Sequence, residues 1–466
     1  MADPLSKDVI VDQEGALRYL ASRLNVETSS PASLDAAKVF TLDRMRALLD
    51  AMGRPHLSYP VMHVAGSKGK GSVCEMAASG LAGSGLRVGL YTSPHLQRIN
   101  ERIRVSGVEI EPGRFAELVR EVAGHAAKVE RPDDPCTYFE LLTAVAFAHF
   151  AAERVDVAVV EVGLGGRDDA TNVVQPAVCV IGVIQLEHTQ LLGDSLASIA
   201  AVKAGIIKKG VPVVTLPQDP AAAEVIAAKA AAANAPLRVV GGEGVEYSHR
   251  FGLPDGGPSR SMRVTVKADG LHWMHVEVPF AGEHQAWNCG LALAGIGVLR
   301  GRGVRVDPDA VAKGVAATPL RGRLEWTQVG EGASVRKVAM DVAHTPDSVA
   351  ALMRTLAVVS SHESLVCIVG VAQDKDVDGV LRAVAGGADK VFFTRTPGHR
   401  RGADPDDLLR RYEAVGGGMA QSVPEFEGCF DAAVRSSGPR DVVLITGSHV
   451  IVGAARTLVA RRTNRG

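Results

Sequence analysis

The run Ala65-Gly66-Ser67-Lys68-Gly69-Lys70-Gly71-Ser72 has the residue types with which a backbone wraps a phosphate. It follows an apolar run at 61–64 and leads into an Ala-rich stretch at 72–81, so strand, loop and helix start arrive together. Glycines let the chain approach an anion closely and adopt positive φ, the helix start adds partial positive charge, and Lys70 adds a full one. The standard Walker pattern is missed: Val64 holds its first Gly position and Gly71 separates Lys70 from Ser72. We therefore expect a variant phosphate loop with contacts from Gly66, Ser67, Lys68, Gly69, Lys70, Gly71 and Ser72. Glu161 ends the apolar run 155–160 just before Gly163-Leu164-Gly165-Gly166, and His188 follows the run 178–184. Both would emerge at the carboxyl edge of a sheet, where α/β proteins bind ligands.

These residues need a sheet to hold them. Apolar, β-branched runs at 60–65, 88–91, 155–162, 178–184 and 211–216 alternate with helical stretches such as 72–81 and 138–152, which predicts crossover units and a mostly parallel sheet. Residues 13–53 read as helices preceding that sheet, with Leu17, Leu20, Leu24, Leu42, Met45, Leu48 and Leu49 at helical spacing. From 245 to 278 short alternating segments, 262–266 and 271–278, predict a small antiparallel insert. A helical stretch at 284–300 follows. We place a boundary near Ala317, giving residues 1–317 as one unit and 318–466 as a smaller α/β unit with strands at 337–342, 364–371, 390–394 and 441–446.

The 466 residues exceed one ordinary core, and 46% hydrophobic with 4% aromatic content predicts an interior of Ala, Val, Leu and Ile. Lys plus Arg number 51 against 52 Asp plus Glu, a net charge of -1, which offers no global attraction to nucleic acid or an anionic membrane. Any phosphate site must be local. The six cysteines show no metal-like spacing and read as reduced core residues. No apolar run approaches the roughly 18 to 20 residues of a membrane span, and the first residues lack a secretory pattern. The expectation is a cytoplasmic protein, acting as a monomer.

The loop resembles the G-T-x-G-K-G-S loop of folylpolyglutamate and dihydrofolate synthases, and Gly89-Leu90-Tyr91-Thr92-Ser93-Pro94-His95-Leu96 through Asn100-Glu101-Arg102-Ile103 resembles their next signature. Further similar stretches are Tyr138-Phe139-Glu140-Leu141-Leu142-Thr143, Glu161 to Arg167 with Asp169-Ala170-Thr171-Asn172, and Lys203-Ala204-Gly205-Ile206. Gly282-Glu283-His284-Gln285 with Asn288, Gly322-Arg323-Leu324-Glu325, Asp341 to Pro346, and Gly447-Ser448 extend the likeness over nearly the whole chain. The resemblance implies a Mur-ligase-like α/β fold: a P-loop-containing, mostly parallel sheet with flanking helices, and a smaller C-terminal Rossmann-like domain. It implies an ATP- and Mg²⁺-dependent ligase that adds L-glutamate to the γ-carboxylate of a reduced folate, with the joining of dihydropteroate to glutamate an open second activity. A carboxylate and an amine form a salt at neutral pH, so the acid must first become an acyl phosphate; positioned cations offset the charge of that phosphoryl transfer.

The same resemblance assigns roles. Ser93, Glu161 and His188 become Mg²⁺ ligands, and Lys203 a functional lysine, carbamylated or unmodified and paired with phosphate. Asn288 would touch the adenine side of ATP or serve as a helix cap. Arg323, Asp341 and His344 would close over ATP from the second domain, with Lys375 a further candidate. Phe139 would stack on a pterin or belong to the core. Departures from the pattern are Lys68 for Asn, Glu187 for Asp before the histidine, and Val342 and Thr345 for Gly and Asn. The stretch Ala343-His344-Thr345-Pro346-Asp347-Ser348 resembles the peptidoglycan-building Mur ligases, which leaves a cell-wall acceptor as the alternative substrate. A nucleotide-binding homologue without ligase activity is the other alternative.

Overall fold

The computed structural model describes residues 10–27, 40–251, 262–319, 321–332, 335–398 and 401–463. The first sheet is built on the apolar run that feeds the phosphate loop, β1 (Val61–Ala65), whose five residues are all buried. A strand covered on both faces reads as a continuous hydrophobic run, and this is why β1, β2 (Val88–Tyr91), β5 (Val157–Glu161) and β6 (Val178–Ile181) stand out in the sequence. The remaining strands are β3 (Ile103–Val105), β4 (Val108–Glu109), β7 (Val213–Thr215), β8 (Leu237–Val240), β9 (Gly244–Phe251), β10 (Met262–Ala268) and β11 (Leu271–Val278). Among the described residues the order is β11-β10-β9-β8-β7-β6-β1-β5-β2-β3-β4. Pairing is parallel from β2 through β9 and antiparallel at both edges.

One face of this sheet carries the helix Lys70–Gly83, packed between Glu283–Gly301 and Pro308–Ala316. The other carries Pro112–Val129 and Tyr138–Ala152, with the short helices Gln13–Ala21 and Asp43–Ala51 outside them. The antiparallel segment expected at 245–278 extends the same sheet through the β8–β9 pairing. Its β10 alternates buried and exposed residues because only one face is covered.

A second sheet holds β12 (Glu325–Val329), β13 (Arg336–Met340), β14 (Leu365–Val369), β15 (Lys390–Phe393), β16 (Met419–Ser422) and β17 (Val442–Thr446), in the order β12-β13-β17-β14-β15-β16. It is parallel except for β12–β13, and a core lies on each face. The overall architecture is therefore the mixed α/β arrangement expected, with a larger and a smaller sheet. All six cysteines are buried and free. No helix among the described residues is long and apolar enough to cross a membrane.

Differences from the sequence reading have local causes. The run at 178–184 stops as a strand at Ile181, because Gly182 leaves the ladder to lie against Gly66. Strands β3, β4, β8, β12 and β16 were not anticipated; β4 has two residues and β16 none that is buried, so neither offers an apolar signal. Of the residues expected as helices before the sheet, 28–39 lie outside the described residues.

Close helix packing beneath the loop rests on missing side chains. A Cβ on Gly314 would sit 2.3 Å from the Ser79 carbonyl oxygen, and one on Gly83 2.5 Å from that of Ala310. Gly314→Val should cost about 1–3 kcal/mol by forcing the helices apart, read as a lower urea midpoint. Gly301→Ala, with nothing within 4 Å of its Cβ position, should stay within about 0.5 kcal/mol of the parent. Equal midpoints for all three proteins would refute the packing argument.

Candidate active site

The loop leaves β1 through Gly66, whose φ of 147° carries it flat against Gly182; a Cβ on Gly66 would lie 3.0 Å from the Gly182 Cα. Ser67 pins the loop to the strand exit beside it: its N–H donates to the Val183 carbonyl at 2.8 Å and its hydroxyl to that of Gln185 at 3.0 Å. Gly69, at φ 82°, caps the helix Lys70–Gly83 without a side chain, so the first amides of that helix stay available to an anion. The buried Asn288 side chain presses against the other side of this turn, its Oδ1 2.4 Å from a Cβ position on Gly69. The Ser72 hydroxyl is buried at the same helix start without a partner among the described residues.

Glu161 pairs in register with Val64, which sets its carboxylate at the end of the sheet next to the loop. It is buried, accepts the Ser93 N–H at 3.1 Å, and forms no ion pair among the described residues. Burial pushes its pKa up; Lys70, the Ser93 amide and Arg323 pull against that. Gly71 explains the extra residue between Lys70 and Ser72: a Cβ there would lie 3.5 Å from Arg323 Nη2 and 3.8 and 3.9 Å from the Glu161 oxygens. A glycine keeps this gap between acid and guanidinium clear. Among the described residues no group of three or more His, Cys, Asp or Glu could hold a metal ion. A buried carboxylate without a cationic partner nevertheless fits a hard cation that takes its other ligands from water and phosphate.

Two lysines share one acceptor. Lys70 Nζ and Lys203 Nζ each donate to the Gly66 carbonyl at 3.0 Å. Lys203, 2% exposed, also donates to Glu187 Oε1 at 2.9 Å, while Lys68 Nζ lies 3.4 Å from Glu187 Oε2. Burial draws the Lys203 pKa down to about 8, with Glu187 pulling the other way. The two Glu187 oxygens thus serve Lys203 and Lys68 separately. His188, at φ 47°, starts the short helix Thr189–Leu192 and is exposed at the edge of this cluster.

The second sheet supplies the facing wall. Asp341 accepts the Leu324 and Ala343 amides, each at 2.8 Å, and so fixes the turn that carries Arg323. His344 Nδ1 is 2.8 Å from the Val342 carbonyl, and its ring lies 5.5 Å from that of His449. His449 carries no pattern of its own in the sequence beyond its place directly after Gly447-Ser448. Thr345 and Ser348 bond to each other at the start of the helix Pro346–Val359, and Val342 is buried with its N–H on the Gly322 carbonyl. Both departures from the family pattern thus have structural partners. Half-buried Phe139 stands over Gly163, its Cζ 2.5 Å from a Cβ position there, with its ring 6.0 Å from Tyr91. The loop, Asn288, Ser93, Glu161, Lys203 and Arg323 are therefore gathered at one place, Asp341 supports it, and His188, His344 and Phe139 lie around it.

A phosphate loop at the edge of one sheet, faced by a smaller α/β unit, defines the class, and the chain matches the Mur ligase middle domain over residues 64–296 and the Mur ligase, glutamate ligase domain over 322–449. It is 37% identical over 453 residues to a dihydrofolate synthase/folylpolyglutamate synthase of Mycobacterium tuberculosis, covering 90% of each chain. It is 34% identical over 420 residues to a folylpolyglutamate synthase of Lacticaseibacillus casei, covering 89% of this chain and 93% of that one. A crystal structure of Mycobacterium tuberculosis folylpolyglutamate synthase complexed with ADP and AMPPCP superimposes with a TM-score of 0.82 at 35% identity, covering 91% of this chain and 96% of the other. The chain belongs to the folylpolyglutamate synthase/dihydrofolate synthase family of ATP-dependent ligases.

The charge cluster has a pH signature. Burial alone would raise the Glu187 pKa, yet Lys203, Lys70 and Lys68 together hold it at about 2, below the ordinary 4.5. A depressed carboxyl contributes stability that is present above the unfolded pKa and lost as pH falls through the folded one. Glu187→Gln should therefore lower stability at neutral pH and flatten the acid limb between pH 4.5 and 2. Denaturant titrations across that window check it, and an unchanged pH slope would contradict the pairing.

Proposed function

We propose that this ligase joins L-glutamate to the γ-carboxylate of a reduced folate, with ATP converting that carboxylate into an acyl phosphate, and that dihydropteroate is a second acceptor. The observation that carries this reading is the gathering of Lys68, Lys70, Lys203 and Arg323 around the open helix start beside Glu161. The loop Gly66–Ser72, through the amides that follow Ser67, and Lys70 hold the phosphates. Asn288, pressed on Gly69, takes the adenine side, and Arg323 and His344 close from the second sheet, with Asp341 fixing the turn that aims Arg323. Glu161, with Ser93 and His188, would hold Mg²⁺, which when bound supplies charge to offset that developing on the phosphoryl oxygens. Lys203 acts either as an ammonium, shared between the Gly66 carbonyl and Glu187, or as a carbamate; its pKa of about 8 leaves a neutral fraction able to react with carbon dioxide.

Half-exposed Phe139 offers a ring face to the pterin of the acceptor. Water would hydrolyse an acyl phosphate, so a cleft lined from two sheets has a chemical use: it admits three substrates and excludes solvent when shut. In this reading residues 1–317 bind ATP, residues 318–466 close the cleft, and the enzyme works in the cytoplasm as a monomer.

Release of ADP and phosphate should require reduced folate, L-glutamate and Mg²⁺ together, with product masses rising by glutamyl increments. Lys70→Ala should lower kcat by about 10²–10³, the scale of losing one positioned charge or donor at a transition state. Turnover indifferent to every pterin acceptor would overturn the assignment.

A further inference from the structure

Beyond the phosphate cluster, a second buried charge has an unusual set of partners. Arg102 is 2% exposed, and both its terminal nitrogens donate to the Glu27 carboxylate at 2.7 Å, a bidentate pair. The N–H on its Nε donates to His95 Nδ1 at 2.9 Å. A guanidinium has donors only, so His95 Nδ1 must accept, and the ring proton is fixed on Nε2. That N–H has no partner among the described residues and is not enclosed, on a ring that is itself half-buried. A buried guanidinium, held by a partly exposed carboxylate, thus presents one imidazole donor in a single tautomer.

The donor sits on the same segment as Ser93, whose N–H bonds Glu161. His95 stands two residues after Ser93, and the Arg102 guanidinium is 5.8 Å from the ring of Tyr138, the neighbour of Phe139. The arrangement also touches the second sheet's unit: the Glu27 carbonyl accepts from Arg401, and Leu96 lies so close to Gly453 that no Cβ fits there. We propose that His95 is a substrate-binding residue whose Nε2–H donates to a carboxylate or amide oxygen of the acid substrate, and that Arg102, held by Glu27, is the positioning residue that sets its tautomer. This deepens the proposed function and rests on it for the identity of that substrate.

Two measurements separate the parts. Nitrogen-15 NMR of the imidazole in the full chain should show protonated Nε2 and unprotonated Nδ1 for His95, and Arg102→Met should give a tautomer mixture. His95→Leu should raise the KM for reduced folate by about three- to tenfold, the usual worth of one hydrogen bond, with the KM for ATP unchanged. His95→Gln, which keeps an N–H donor, should recover most of the loss. Because Arg102→Met removes a buried guanidinium that ties Glu27 to His95 and can destabilise the chain, the half-buried His95 variants decide the proposal independently. An Nδ1–H tautomer in the parent, or an unchanged folate KM in His95→Leu, would overturn it while leaving folate-dependent ligation standing. Absence of folate-dependent turnover in the parent would instead strike the proposed function, and the tautomer would still decide whether the donor is fixed.

Discussion

The contact between Gly66 and Gly182 is the constraint on which the rest of the site depends. Two adjacent strand exits, β1 and β6, must come within van der Waals distance for the loop to lie flat over the end of the sheet. Only then can the Gly66 carbonyl meet Lys70 from the following helix and Lys203 from a distant one. A side chain at 66 would lift the loop, separating both lysines from their shared acceptor and the helix start from Glu161. Glycine's tolerance of the required φ and its lack of bulk act here together.

Charge in this cleft is deliberately unbalanced. Glu187 answers Lys203 and Lys68, but no carboxylate is paired with Lys70 among the described residues, and Arg323 reaches the site without an ion pair there. A low-dielectric pocket with surplus cations attracts a polyanion and pays little reorganisation when it arrives. The depressed pKa values of Lys203 and Lys68 reflect the same crowding, with burial as the leading cause. A bound triphosphate relieves that repulsion, so binding and local stability are coupled.

The second sheet contributes through a few anchored turns. Asp341 holds the Arg323 turn, the Val342 amide bonds the Gly322 carbonyl, and Leu96 from the first unit packs into the second unit's core. Gln97 and Arg321 add polar ties across the same boundary. The residues that would touch substrate are therefore carried on backbone fixed by short hydrogen bonds, while the boundary itself is a modest set of contacts that a hinge can rearrange.

Much of this was legible in the chain. Buried parallel strands announce themselves as continuous apolar runs, and the glycine and lysine spacing of 66–72 marks a phosphate loop because local backbone geometry follows from local residues. The short edge strands β4 and β16 were silent because exposed strands need no apolar run. Partnerships were equally silent. That Lys203 shares a carbonyl with Lys70, that Glu187 reads as a longer aspartate yet bridges two lysines, that Gly71 clears a gap for Arg323, and that Arg102 fixes His95 through Glu27 are all relations between residues far apart in sequence. Residue type and spacing determined the chemistry available and the elements that carry it. The tertiary structure decided which charges meet, because side-chain direction, burial and distance between non-adjacent segments exist only once the sheets have formed.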